Sequence, residues 1–235
     1  AQTLRPVLFV SGDHLPKQTP WLTAADFFFN TNEISAGWCF RLIQFSDIPK
    51  VEDKEALKKA GIELLNYIPY NAFFARVSVD ADLNSFASFD ITSVEKIEES
   101  FKLTKSLLNE NYSHWTLFGA SKIDLNAMFF EGISADLIES ELSTCGVEIL
   151  NINHANTVRL RIAIEDLKTL YSLSSFYYFE ELPSPEVPEN LVGRTNHRSN
   201  TIATDYNGGI EYDGTGITIM MQDDGYIGEH IDYEG

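Results

Sequence analysis

Gly61 to Val77 reads GIELLNYIPYNAFFARV, and Gly146 to Ile162 reads GVEILNINHANTVRLRI. Gly61, Glu63, Leu65, Asn66, Asn71 and Arg76 recur as Gly146, Glu148, Leu150, Asn151, Asn156 and Arg161, each pair 85 residues apart. Six identities at one fixed offset point to a tandem duplication. Within the first copy, Ile62–Tyr67 and Ala72–Val79 are apolar, branched and aromatic runs on either side of a P-Y-N turn, the pattern of two paired strands.

The flanking sequence repeats the same order of elements. In the first copy Trp38–Phe45 is a predicted strand, and Lys50–Ala60 is a charged amphipathic helix entered through Pro49 and closed by Gly61. A second helix is expected over about Ala81–Phe89 and a last strand near Ile91–Ile97. In the second copy Ile123–Phe130 is a strand, Ser134–Gly146 a helix with Ser134 as N-cap, and Val147–Asn151 and Thr157–Ile164 are strands. A helix over Glu165–Leu173 and a strand over Phe176–Glu181 complete it. The order β-α-β-β-α-β is that of a ferredoxin-like split βαβ unit. The predicted class is therefore α+β, with an N-terminal segment (1–35), two tandem ferredoxin-like repeats (36–105 and 106–182), a linker (183–194) and a further piece (195–235). Pro183, Pro185 and Pro188 make that linker extended and helix-free.

Alternation assigns the faces of the strands. Phe73, Ala75, Val77 and Val79 in one copy, and Val158, Leu160, Ile162 and Ile164 in the other, should face the helices. Arg76, Arg159 and Arg161 then stand on the opposite face, which is either merely solvated or free to meet a partner. In the N-terminal segment a short strand is expected from Val7 to Val10, and a helical turn over Leu22–Asn32 with Thr23 as N-cap. Phe27, Phe28 and Phe29 require burial on the next domain or on a partner.

Composition excludes several function classes. With 35 acidic against 17 basic side chains the formal charge is −18, which argues against binding nucleic acid or an anionic membrane surface. No stretch approaches the roughly 20 apolar residues of a membrane-spanning helix. The start at Ala1-Gln2, without Met, reads as an end left by removal of a leader or as a boundary chosen in preparing the chain. The two cysteines, Cys39 and Cys145, form neither a disulfide framework nor a metal-spaced set, and two buried free thiols are expected. No cofactor is evident.

The terminal stretch carries the candidate chemistry. Asp213–Gly225 reads DGTGITIMMQDDG: a Gly-bearing turn, a short apolar strand, then Asp223, Asp224 and Gly225. Carboxylates just beyond the carboxyl end of a strand stand where α/β sheets collect their active sites. The same D-G pair also suits a hairpin turn or an acidic calcium-type loop.

The run G-T-G-I-T-I-M-M-Q-D-D-G, followed by H-I-D at His230–Asp232, resembles the first catalytic block of the subtilisin-like serine peptidases. The resemblance implies that Asp223 is the triad acid, accepting a hydrogen bond from Nδ1–H of the catalytic histidine and stabilising the imidazolium as a serine attacks the scissile carbonyl. It also implies that residues 195–235 begin an α/β catalytic domain. The histidine block H-G-T and the serine block G-T-S do not occur among these residues. His14, His114, His154 and His197 stand in no such setting, and His230 matches the non-catalytic H-x-D position. Subtilases are made with an N-terminal pro-domain of ferredoxin-like topology, and GIELLNYIPYNAFFARV and FYYFEE are similar to its middle and final strands. A doubled pro-domain departs from the single-copy pattern, and by position the second copy is the expected inhibitor.

The resemblance thus implies the N-terminal portion of a secreted or cell-surface serine endopeptidase zymogen. Its tandem pro-region acts as folding chaperone and cleft inhibitor, and processing falls between Leu182 and Asn200. Its partners are the remaining catalytic domain of the same precursor and a protein or peptide substrate, and the family resemblance allows calcium. The alternative is a non-catalytic, acidic binding or structural subunit of a cell-surface assembly built from ferredoxin-like modules.

Overall fold

Two antiparallel sheets carry the fold, and each is built around one of the repeated stretches. The computed structural model describes residues 5–17, 33–82, 88–185 and 215–218. The chain divides into two units, Ala1–Ser184 and Pro185–Gly235, and both sheets belong to the first. The expected helix over Leu22–Asn32, most of the one over Ala81–Phe89, and the terminal acidic block lie outside the described residues.

A two-stranded hairpin, β1 (Val7–Leu8) with β2 (Asp13–His14), precedes the first sheet. That sheet contains β3 (Ile34–Ser35), β4 (Trp38–Phe45), β5 (Ile62–Ile68), β6 (Ala72–Ser78) and β7 (Ile91–Lys96). One side of β4 pairs with β6, and β5 follows beyond it; β3 and β7 pair with β4 as well. The second sheet contains β8 (Leu117–Phe118), β9 (Lys122–Phe129), β10 (Glu148–Asn153), β11 (Thr157–Ala163) and β12 (Phe176–Glu181), in the order β10-β11-β9-β12 with β8 also on β9. The architecture is α+β with antiparallel sheets and few helices. The sequence reading missed the short leading strands β3 and β8, two-residue pieces too brief to show a period. It also extended the first strand, which ends at Leu8, to Val10.

The registers of the two sheets correspond. Glu63 faces Arg76 across β5 and β6, and Glu148 faces Arg161 across β10 and β11. Val94 faces Ile43 as Phe179 faces Ala127, and both pairings carry an irregularity after the first residue of the last strand. The 85-residue offset therefore holds for three strands of each sheet, and β4 to β9 differs from it by one residue.

Helices cover one face of each sheet. α1 (Val51–Lys59) begins where the Lys50 amide donates to the Asp53 carboxylate at 3.1 Å, and buries only Leu57. It stops at Gly61, whose φ is +96° and where a Cβ would stand 2.9 Å from the Ala81 backbone; glycine is the residue that tolerates both. α3 (Ala135–Thr144) is capped by Ser134, whose hydroxyl accepts from the Leu137 amide, and buries Ile138 and Leu142. Between the sheets run a 3-10 turn (Glu99–Lys102) and the short α2 (Lys105–Leu108), and α4 (Leu167–Ser172) follows β11. As the alternation predicted, Phe73, Ala75 and Val77 pack with Leu57, while Val158, Leu160 and Ile162 pack with Ile138 and Leu142. Val79 falls just past the end of β6 and is exposed.

The other face of the first sheet is also covered. Phe40, Leu42, Ala72 and Phe74 form a third core with Val7 of the hairpin, Phe101 of the 3-10 turn, and Phe130, which follows β9 of the second sheet. Phe130 is fully buried, stacked on Phe40 at 4.3 Å and edge-on to Phe74 at 5.8 Å. Polar links join the same parts. The Ser35 hydroxyl of β3 donates to Glu141 of α3 at 2.9 Å, and Ser175 donates to the other carboxylate oxygen. Arg76 pairs with Glu63, lies over the Trp38 ring, and donates to the Glu131 carbonyl at 3.2 Å. Arg76 is thus consumed in the junction between the sheets and does not stand on an open face.

Replacing Phe130 by Ala should lower unfolding free energy by about 3–5 kcal/mol. The exposed Arg159→Ala should stay within about 0.5 kcal/mol of wild type. Urea midpoints of the two variants check this, and equal effects would contradict the junction described.

Candidate functional site

The second sheet presents, on the face away from α3, a mixed polar surface where the first sheet has an apolar, covered one. The register explains the difference residue by residue. Phe40 and Leu42 of β4 correspond to Asp124 and Asn126 of β9, and Ala72 and Phe74 of β6 to Thr157 and Arg159 of β11. Substituting charged and amide groups for aromatic and aliphatic ones removes the drive to bury that face.

The central pair of this surface is Arg161 and Asp124. The guanidinium donates from Nε at 2.6 Å and from a terminal nitrogen at 2.9 Å to the two carboxylate oxygens, and it lies 3.3 Å from the centre of the Phe118 ring. The Asp124 hydrogen bond holds the Arg161 pKa above its ordinary value. Such a forked pair is rigid and directional. Around it, Arg159 is exposed, Asn126 donates to Glu180 at 3.3 Å, and Phe118 is 52% exposed on β8.

Beside this face the chain leaves the sheet from β12, and its exit is anchored. Trp115 donates from its indole nitrogen to the Leu182 carbonyl at 3.0 Å. The Glu181 carboxylate accepts from the Ser113 amide and from the Thr116 hydroxyl. A turn of residues 113–116 thereby fixes the end of β12. Trp115, Phe118, Asp124 and Glu181 were not singled out by sequence. The sequence carried a signal for Asp124 alone, the loss of apolar character 84 residues after Phe40.

Titratable groups elsewhere divide into inert and informative. Burial pushes the Cys39 thiol up to about 11, which keeps it protonated and non-nucleophilic. Both thiols are buried and free, as expected. Burial pulls the Glu33 carboxyl up, but hydrogen bonds from Lys96 and Arg41 outweigh it and leave its pKa below the ordinary value. Lys102 is 3% exposed, donates to the carbonyls of Tyr171 at 3.1 Å and Leu173 at 2.8 Å, and desolvation lowers its pKa to about 8. Among the described residues no His, Cys, Asp and Glu side chains gather into a metal-binding group. No helix among them is long and apolar enough to cross a membrane.

Asp223, with Asp224, Gly225 and His230, lies outside the described residues. Of its lead-in, residues 215–218 are described, with a turn at Gly216 of φ +82° and Ile217 exposed. Of the three arginines assigned to the far faces, Arg159 is exposed, whereas Arg161 and Arg76 are both mostly covered, Arg161 by its own sheet's Asp124 and Phe118 and Arg76 in the junction between the sheets.

Residues 8–98 match the model of a domain of unknown function, DUF8729. The match spans the stretch from β1 to just beyond β7 and so takes in the whole first sheet. No curated protein and no solved structure matches the chain.

The Lys102 ammonium should leave a pH signature. Its folded pKa lies below the unfolded value of 10.5, so the unfolded chain binds the proton more tightly. Relative to Lys102→Met, wild-type stability should be lowest and flat below pH 8. It should then rise by roughly 3 kcal/mol as the pH approaches the unfolded value, and level off beyond it. Urea unfolding of both proteins across that range measures the difference, and a constant difference would contradict the burial of a charged amine.

Proposed function

We propose that this chain is the N-terminal portion of a secreted subtilisin-like serine endopeptidase zymogen. Residues up to Leu182 act as a tandem ferredoxin-like pro-region that assists folding and blocks the cleft. The terminal stretch supplies the triad acid, Asp223. The observation that carries this reading is the run from Gly214 to Gly225 followed by His230-Ile231-Asp232.

Three structural features support it. Each sheet has its last, first, third and second repeat strands side by side, all antiparallel, the arrangement that a split βαβ unit produces. Of the two sheets, the second has the polar outer face, with Arg159 exposed on it, which suits the second copy to meet the protease. The chain leaves β12 from an anchored point, so a following segment can be delivered to a cleft with little freedom to lose.

In this reading the remainder of the precursor provides the histidine and serine. Asp223 fixes the tautomer of that histidine by accepting its Nδ1–H and stabilises the imidazolium during attack. The proline-bearing linker after Leu182 is the processing region, and calcium would belong to the catalytic domain.

Sequencing the precursor transcript should show a continuation carrying H-G-T and G-T-S blocks. In that enzyme Asp223→Asn should lower turnover by about 10⁴, and Asp224→Asn far less. The present chain, added in trans, should inhibit the enzyme at sub-micromolar concentration, and Arg159→Glu should weaken inhibition. A stop codon soon after Gly235 together with no inhibition would overturn the proposal in favour of a non-catalytic binding subunit.

A further inference from the structure

Asn111-Tyr112-Ser113 is the single Asn-x-Ser/Thr sequence in the chain, the acceptor pattern for N-linked glycans in exported proteins when x is not proline. The hydroxyl two residues on is what the transferring enzyme reads. The asparagine must end on the surface, because a glycan is bulky and hydrophilic.

The fold meets that condition. α2 ends at Leu108, Glu110 takes a φ of +54°, and the Asn111 amide donates back to the Ser106 carbonyl at 2.9 Å. That closes the helix and begins an irregular stretch, so Asn111, Tyr112 and Ser113 lie in no helix or strand. Tyr112 packs against the core of the second sheet, while Asn111 beside it is exposed.

Side-chain chemistry supplies a second observation. Asn71 donates to the Ser46 carbonyl, Asn126 donates to Glu180, and the Asn153 carboxamide oxygen accepts from the amides of Ala155 and Thr157. These carboxamides hold turns and strands together. That of Asn111 makes no hydrogen bond among the described residues, so modifying its nitrogen breaks nothing.

We propose that Asn111 is an N-glycosylation site. In the transfer, Nδ2 forms a bond to the anomeric carbon of a lipid-linked oligosaccharide. The bond from that carbon to the polyprenyl diphosphate carrier breaks, and the diphosphate and one proton leave. Ser113 is half-buried in the folded chain, its amide held by Glu181, 68 residues further on. The transferase therefore reads the motif on the emerging chain, before Glu181 is in place, and the folded structure has only to leave Asn111 open. The inference rests on the export contained in the proposed function and not on its protease chemistry.

Peptide mapping of the protein isolated from its source tests it. The tryptic peptide Ser106–Lys122 should carry an added glycan mass, and fragmentation should place that mass on Asn111. Asn111→Gln and Ser113→Ala should each remove it completely, whereas Ser113→Thr should keep it. Asn109→Gln, in the same peptide but outside the motif, should leave it in place. An unmodified peptide would overturn the inference; if that protein is recovered outside the cell, the zymogen reading still stands. A glycan that survives Ser113→Ala would also overturn it. A glycosylated chain whose transcript lacks the H-G-T and G-T-S blocks would do the reverse, supporting the site and sinking the protease.

Discussion

The structure depends on the insertion of Phe130 into the outer face of the first sheet. Phe40, Leu42, Ala72 and Phe74 make that face apolar, and an apolar sheet face left in water would be unstable or would aggregate. Phe130 belongs to the second sheet's chain, immediately after β9, and its amide donates to the Ser175 carbonyl ahead of β12. The ring therefore cannot leave Phe40 without disturbing the entry to a strand of the other sheet. Val7, Phe101 and the Phe9 ring, which stacks on Phe101 at 4.4 Å, complete the cover. The two sheets consequently share a core, although each also has one of its own.

The two sheets match in register but differ in their outer faces, because that of the first is covered by Val7, Phe101 and Phe130. The covered face of the first sheet has aromatic residues at Phe40 and Phe74. The second sheet has Asp124, held against Arg161, and the exposed Arg159 at the corresponding places. Arg76 and Arg161 make the same point. They are equivalent in register, yet Arg76 reaches across the junction to the Glu131 carbonyl, whereas Arg161 closes on Asp124 within its own sheet. A Cβ at Gly132 would stand 2.2 Å from the Arg76 guanidinium, so the turn after Phe130 admits Arg76 only because glycine occupies it.

Most of this fold was legible in the sequence because its strands are long and strongly alternating. Trp38–Phe45 and Phe176–Glu181 coincide with β4 and β12, and Ser134 caps α3 as its spacing to the apolar run implied. The inward residues of β6 and β11 also follow from period-two alternation. Alternation, however, says only which residues share a face and not whether that face is covered. Arg76 was therefore grouped with Arg159 and Arg161, and only tertiary contact separates them. The short pairings at Ile34–Ser35 and Leu117–Phe118 carry no period, and the Lys102 ammonium reaches carbonyls about 70 positions away, at Tyr171 and Leu173. The acid expected to work, Asp223, is visible to sequence by resemblance alone.

The polar face of the second sheet and the fixed exit of β12 act together in the zymogen reading. A sheet surface centred on an ion pair already satisfied within itself, Arg161 with Asp124, offers modest affinity, because charges that are paired gain little from a new partner. A tail delivered from Leu182 adds a second contact, and a stiff, proline-bearing connection raises the effective concentration of that contact once the first has formed. The anchoring of Leu182 by Trp115 and of Glu181 by Ser113 and Thr116 shortens the freely moving part of the connection. Tight association would then arise from two weak contacts held in a fixed relation, and cutting the linker between them would release both.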